Sequence, residues 1–318
     1  MASQRSDLLQ VIHASPDSHN AQEMYEPLLD DLEESVSGLG RKIRSIWIAD
    51  MAHQGQSYVL NENAALVLID PVIQTENPSK TYAPAATYRR DLWPSRQEAA
   101  EKFAASKFYQ TWDPRVLQEW SEYGLRELPT AMYPDRGTSP EPPVTLTTPK
   151  AQEVFSYLRP KYYGSPDIPP EEDWAVYGDI HPDDVEDYPF YRPEPAQTFR
   201  RLPELKPPVL YIFGAKSELA TPDLRRKKME TTGSGIGGSG GQKNGKVEEV
   251  VLDCGHLVPL ERVKECADAA ARFSVSEVTR WEDMTRDWQR RWLEKPPRER
   301  IGIDDRWKEA IGPRPSKQ

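Results

Sequence analysis

Cysteine is nearly missing from this chain: among 318 residues only Cys254 and Cys266 carry thiols, too few for a disulfide framework and without the spacing of a metal site. The amino terminus MASQRSDLLQ has no apolar signal region, so a reducing, intracellular compartment is expected. No apolar run approaches the roughly eighteen residues that a membrane span needs. An excess of basic residues is also absent. With a net charge of -10 and a pI near 5.2, the chain has no basic face for a polyanion, and nucleic acid is not an expected partner. Glycines (18) are outnumbered by prolines (30) and mean hydropathy is -0.75, which predicts long irregular segments. The 37% hydrophobic content still suffices for a core. His13 and His19 lie in the polar stretch HASPDSHNAQ with no cysteine or carboxylate cluster beside them, so they read as solvated loop histidines. Neither a metal nor a cofactor is called for.

What is present centres on Pro207 to Arg262, which opens PPVLYIFGAKSELATPD and closes VEEVVLDCGHLVPLERV. Val209–Phe213 and Val247–Leu252 are short β-branched and aromatic runs that read as strands buried on both faces. Glu218 follows the first and His256 the second. A parallel sheet brings both to its carboxyl edge, where open α/β sheets bind ligands, so they are a candidate acid and base. Asp223 is the fallback acid, five residues further along the same loop.

In chain order, Leu8–Ile12 reads as a strand and about Glu23–Val36 as a helix. Arg44–Ala49 is a second buried strand that runs into DMAHQGQS. Leu66–Ile69 with Asp70-Pro71 is the next strand, yet only Tyr58 to Ala65 separates it from Ser57. A βαβ unit takes roughly thirty residues, so no strand, elbow and helix fit between. The one formal G-x-S-x-G, at Gly237 to Gly241 around Ser239, lies in TTGSGIGGSGGQKNGK. That run reads as a flexible linker rather than a strand-flanked nucleophile.

Between Asp70 and Pro207, helices are predicted over Ser95–Tyr109, Pro114–Leu125 and Pro149–Leu158. Trp93, Phe108, Tyr109, Trp112, Trp120 and Tyr123 accompany them, and Trp93 and Trp112 are candidate substrate contacts in an apolar pocket. Pro129 to Pro208 holds seventeen of the thirty prolines and reads as mostly irregular. Glu261–Phe273 and Ser276–Glu294 read as two helices, and the stripe Val278, Trp281, Trp288 and Trp292 reads as core contact.

SIWIADMAHQGQS, LVLIDPVIQ, RRDLWPSR, SKFYQTWDPRVL, YGLRELPTAMYP and DCGHLVPLE are similar to segments of the fungal α/β-hydrolases of host-selective toxin clusters (the AK-, AF- and ACT-toxin type) and their peroxisomal lipase-like relatives. The resemblance implies a mostly parallel sheet with a helical cap, serine-type hydrolysis of an acyl or ester-like bond in toxin or secondary-metabolite biosynthesis, and a small apolar or acyl substrate. It also implies a peroxisomal address, from which the ending Ser316-Lys317-Gln318 departs. Carried over by residue, His256 is the triad histidine, Glu218 the acid, Asp50, Gly55 and Ser57 belong to the strand-end loop, and His13 fits the oxyanion loop. The family's G-H-S-M-G-G elbow has no counterpart. The expected α/β organisation is an incomplete amino-terminal core (1–77), a proline-rich cap (78–206), the rest of the core (207–274), and a carboxy-terminal helix and tail (275–318), with the central nucleophile strand deleted. Three functions follow: an inactive α/β-hydrolase-family protein, a non-catalytic ligand-binding or interaction protein using the capped pocket, or an active serine hydrolase whose coding exon was omitted.

Overall fold

The computed structural model describes residues 8–14, 25–49, 65–76, 79–160 and 190–312, with the side chains of 8–14, 44–49 and 79–80 outside that description. Strand β1 (Leu8–Ala14), helix α1 (Glu26–Gly38) and strand β2 (Lys42–Ala49) come first. β1 and β2 pair in parallel, with His13 opposite Ile48. α1 starts with proline in its first turn, where a missing N–H costs nothing, and buries Leu28, Leu32 and Val36 at intervals of four along one stripe.

Strand β3 (Leu66–Ile69) joins β9 (Val209–Gly214) and β10 (Val247–Leu252) in a parallel sheet of order β10-β9-β3. Every residue of β9 is buried. Its side chains alternate with the pleat: Leu210 and Ile212 join the larger core, while Val209, Tyr211 and Phe213 join the smaller one on the other face. There the Tyr211 and Phe213 rings stack at 5.3 Å. β10 differs from the sequence reading. It is an edge strand whose Glu248, Glu249 and Val251 are exposed, so VEEVVL has one dry face rather than two. β1–β2 and β3–β9–β10 are separate sheets among the described residues.

The stretch between β3 and β9 carries helices α2 (Ser79–Tyr88), α3 (Arg96–Ala105), α4 (Pro114–Tyr123), α5 (Lys150–Tyr157) and α6 (Glu194–Arg201). It also holds a small antiparallel sheet, β4 (Leu92–Trp93), β6 (Val144–Leu146) and β5 (Leu125–Glu127), and a pair, β7 (Arg159–Pro160) with β8 (Phe190–Tyr191). Ser95 caps α3 by accepting from the Glu98 N–H, and Asp113 caps α4 by accepting from Arg115. Arg115 also donates to both carboxylate oxygens of the buried Asp31, at 2.9 and 3.0 Å, which fastens this insertion to α1. Between Pro129 and Pro208, residues 129–143 carry neither helix nor strand, whereas β6, α5, β7, β8 and α6 follow; residues 161–189, with their acidic clusters, lie outside the described residues.

After β9 come α7 (Pro222–Thr231) and, after β10, the long helix α8 (Val263–Glu294). Two helices were expected here and one is found, since neither proline nor glycine interrupts Phe273 to Glu277. Cys266, Ala267, Ala270 and Ala271 pack on the sheet. Beyond Val278 the helix leaves the core: Trp281 is 48% and Trp288 58% exposed, so the tryptophan stripe is not core contact. Two short helices, α9 (Pro297–Ile301) and α10 (Asp305–Ile311), end the described chain.

A two-stranded sheet is marginal by itself, whereas a central strand buried on both faces opens only with the whole fold. Amide hydrogen exchange is therefore expected to be slowest in β9 and faster by at least an order of magnitude in β1 and β2. Equal protection in the two sheets would contradict this.

Candidate active site

Three loops meet at the carboxyl edge of the β10-β9-β3 sheet. Asp70 leaves β3 with φ 40°, the only non-glycine positive φ among the described residues. An aspartate tolerates that conformation better than most residues, and strain of this kind collects at functional sites. Its N–H donates to Ile212 O at 2.7 Å, which fixes the turn, and the residue is 1% exposed. Its carboxylate is fully engaged. Oδ1 accepts from the Gly214 N–H at 3.2 Å, and Oδ2 accepts from Ser217 Oγ at 2.5 Å and lies 2.7 Å from His256 Nδ1.

Asp70 and His256 follow the outer two strands, so their contact must cross the end of β9. Gly214 allows this. A Cβ there would sit 2.0 Å from the Gly255 carbonyl oxygen, and the two loops are zipped by Ala215 N–H to Leu252 O and Lys216 N–H to Cys254 O. Glu261 accepts from the Gly255 N–H at 3.2 Å and holds the turn that presents His256.

The acid beside the imidazole is therefore Asp70, not Glu218. Ser217 occupies the nearest position on the β9 loop, and Glu218 starts a short 3-10 turn that carries its carboxylate to the Tyr82 hydroxyl at 3.3 Å. Burial first, then the Glu218 charge, pushes the Tyr82 phenol up to about 12. Asp223 is on the surface in an ion pair with Arg226. The signal in the sequence was the Asp-Pro step directly after LVLI, which marks a strand end as clearly as the Gly-His step does.

The His256 side chain is 27% exposed and borders a cavity of about 640 Å³. Val72, Phe108, Tyr157, Leu219 and Leu257 form apolar walls, with Lys216, Arg192 and Arg262 also lining it. Cys254 lines it too, but burial above all pushes its thiol up to about 12, so no useful thiolate exists at neutral pH. Trp93 is packed edge-on against Phe103 in the ring cluster that holds Phe103, Tyr109, Trp112 and Trp120. Trp112 lines a smaller adjoining cavity. The side chain of His13 lies outside the description, as do His19, Asp50, Gly55, Ser57 and the last six residues.

The Gly/Ser run is a folded loop rather than a loose linker. Gly233, Gly235 and Ser239 donate backbone N–H groups to Leu202, Pro203 and Leu205. These partners precede β9, so Ser239 sits at the amino edge of the sheet, opposite His256.

Lys228 of α7 is fully buried, with Nζ donating to Leu219 O at 2.8 Å. Burial pushes its ammonium down to about 8 against the partial support of Asp70. Between that value and the ordinary lysine range the unfolded chain binds more protons than the folded one, so this group makes stability rise with pH. From pH 8 to about 10.5 the wild type should gain up to about 3 kcal/mol on Lys228→Met, read by denaturant titration at each pH. A constant difference between the two would refute the assignment.

Among the described residues no group of three or more side chains could hold a metal ion, and no helix is long and apolar enough to cross a membrane. No family model matches the chain. The type I acyl-CoA thioesterase mpaH' of Penicillium brevicompactum is 31% identical over 371 residues, covering 92% of this chain and 83% of the relative. That alignment exceeds the chain's own 318 residues, so the relative has segments without a counterpart here. The abhydrolase domain-containing protein AFT2-1 of Alternaria alternata is 24% identical over 244 residues, covering 76% of this chain and 83% of the relative. Among solved structures, the peroxisomal alpha-beta-hydrolase Lpx1 of Saccharomyces cerevisiae aligns over 92% of this chain and 68% of its own, at 13% identity and a TM-score of 0.42. On the extent of its match to the Penicillium enzyme, the chain belongs to the α/β-hydrolase family.

Proposed function

We propose that this protein binds an acyl ligand in the cavity beside His256 and does not hydrolyse it by a serine mechanism. The observation that carries this reading is the apolar-walled cavity bordered by the Asp70–His256 pair, an acid and an imidazole set to orient each other, together with the eight residues from Tyr58 to Ala65, too few for the strand and helix of a nucleophile elbow. Ser217 is bonded to the same Asp70 oxygen that faces His256 Nδ1, whereas a nucleophile must meet the other ring nitrogen. In an intact relative, a serine would attack the acyl carbonyl, His256 would take its proton and return it to the leaving group, and Asp70 would hold the tautomer. The thioesterase relatives and the apolar walls favour an acyl chain; at the rim Lys216 is paired with Asp253 and Glu261 also lines the cavity, so the cations there are balanced by carboxylates.

The test is intrinsic tryptophan fluorescence with decanoic acid. Saturable binding is expected, weakened at least tenfold in Leu257→Trp, which fills the cavity; no saturable binding would overturn the proposal. A second reading, an omitted exon of an active thioesterase, is favoured by the length of the Penicillium alignment. Sequencing the transcript across Asn61 to Leu66 separates the two.

A further inference from the structure

Next to the main cavity lies a smaller one of about 80 Å³. The two share Phe108, Tyr157 and Leu257 as walls, and the Phe108 ring lies edge-on to Tyr109 and Trp112 at 5.0 and 5.8 Å. The small cavity is rich in donors. The indole N–H of Trp112 and the Nε–H of Arg89 are buried and have no hydrogen-bond partner among the described residues; the indole N–H of Trp120 interacts with the Tyr109 hydroxyl, but in a geometry too poor to satisfy it. Both tryptophans are more than nine-tenths buried, at 8% and 5% exposure. Leaving such donors unpaired is unfavourable, so an acceptor placed there gains affinity.

The charge balance says which acceptor. Arg89 donates to Glu153 Oε1 and pairs with Oε2, both at 3.1 Å, so the ion pair is satisfied internally. Burial pushes the Tyr109 phenol up, which keeps it neutral. A carboxylate entering this space would meet Glu153 and bury a charge without a counter-ion. A neutral oxygen adds no charge beside Glu153 and can accept from the Trp112 indole N–H. The volume takes several heavy atoms, given about 10–15 Å³ of such space for one water.

We infer that the small cavity is a specificity subsite for a neutral acceptor oxygen, keto, ether or ester, on the distal part of the acyl ligand, held by the indole N–H groups of Trp112 and Trp120. This rests on the reading of the main cavity as an acyl site. The experiment measures the affinity of the full chain for medium-length saturated fatty acids, for their counterparts with a keto group on the penultimate carbon, and for the matching dicarboxylic acids. At one chain length the keto acid should bind about tenfold tighter than its parent, as one or two net hydrogen bonds allow, and the dicarboxylate no tighter. Trp112→Phe or Trp120→Phe keeps the ring and removes the N–H. At least one should abolish the keto preference, with an unchanged circular dichroism spectrum reporting an intact fold. Parent acids that bind with no keto preference at any length, or a preference that survives both substitutions, would overturn the subsite alone. Failure of every acid to bind would overturn both the subsite and the acyl reading.

Discussion

A fluorophosphonate probe should leave this protein unlabelled under conditions that label a complete serine hydrolase stoichiometrically. Such labelling needs a serine oxygen held on a strained strand-to-helix turn within reach of the imidazole. Each substitute within the described chain fails for its own reason. Ser217 serves the acid rather than the histidine. Ser239 is at the wrong edge of the sheet, held by backbone bonds to the segment before β9. Cys254 stays protonated. Removing the serine of a triad lowers turnover by about a millionfold even when histidine and acid remain, so decanoyl-CoA hydrolysis should fall by a comparable factor relative to a complete relative. Stoichiometric labelling at one serine would overturn this, and Ser57, which follows β2 in the sequence, is where peptide mapping should look first.

Much of the fold was legible because its signals are local. LVLI, VLYIFG and VEEVVL are short enough and apolar enough to be strands, and their spacing to Glu218 and His256 put two polar groups at one sheet edge. The choice of acid was not legible, because it depends on strand order. Only the order β10-β9-β3 places the residue after β3 across a side-chain-free Gly214 from His256, and no sequence period encodes that. The same limit applies to the carboxy-terminal tryptophans. Helical spacing identifies a stripe, but whether a helix outruns its core depends on the width of the sheet beneath it. The Gly/Ser run misled in the opposite sense: glycine content suggested mobility, whereas the glycines at 233, 240 and 241 adopt positive φ to fold a tight loop. Hydrogen bonds from such backbone cannot be anticipated from composition.

Asp70→Ala should destabilise the fold by about 3–5 kcal/mol, the range for breaking a buried polar network. The wild-type carboxylate serves the Gly214 N–H, the Ser217 hydroxyl and the His256 ring at once, and alanine leaves buried donors with no acceptor. The substitution also places a β-carbon residue that avoids positive φ where the backbone stands at 40°. Two comparisons separate these causes. Asp70→Asn tolerates the same backbone and keeps one carbonyl acceptor, so it should cost less, about 1–2 kcal/mol, while eliminating the charge-assisted contact to the imidazole. Glu218→Gln, whose carboxylate accepts only from the Tyr82 hydroxyl among the described residues, should change stability by less than about 0.5 kcal/mol, as for a surface substitution. Denaturant midpoints at neutral pH give all three values. Proton NMR gives an independent readout: a downfield His256 ring N–H resonance in the wild type and in Glu218→Gln, absent from Asp70→Asn. A resonance that survives Asp70→Asn and disappears in Glu218→Gln would return the acid's place to the β9 loop and remove Asp70 from the pair.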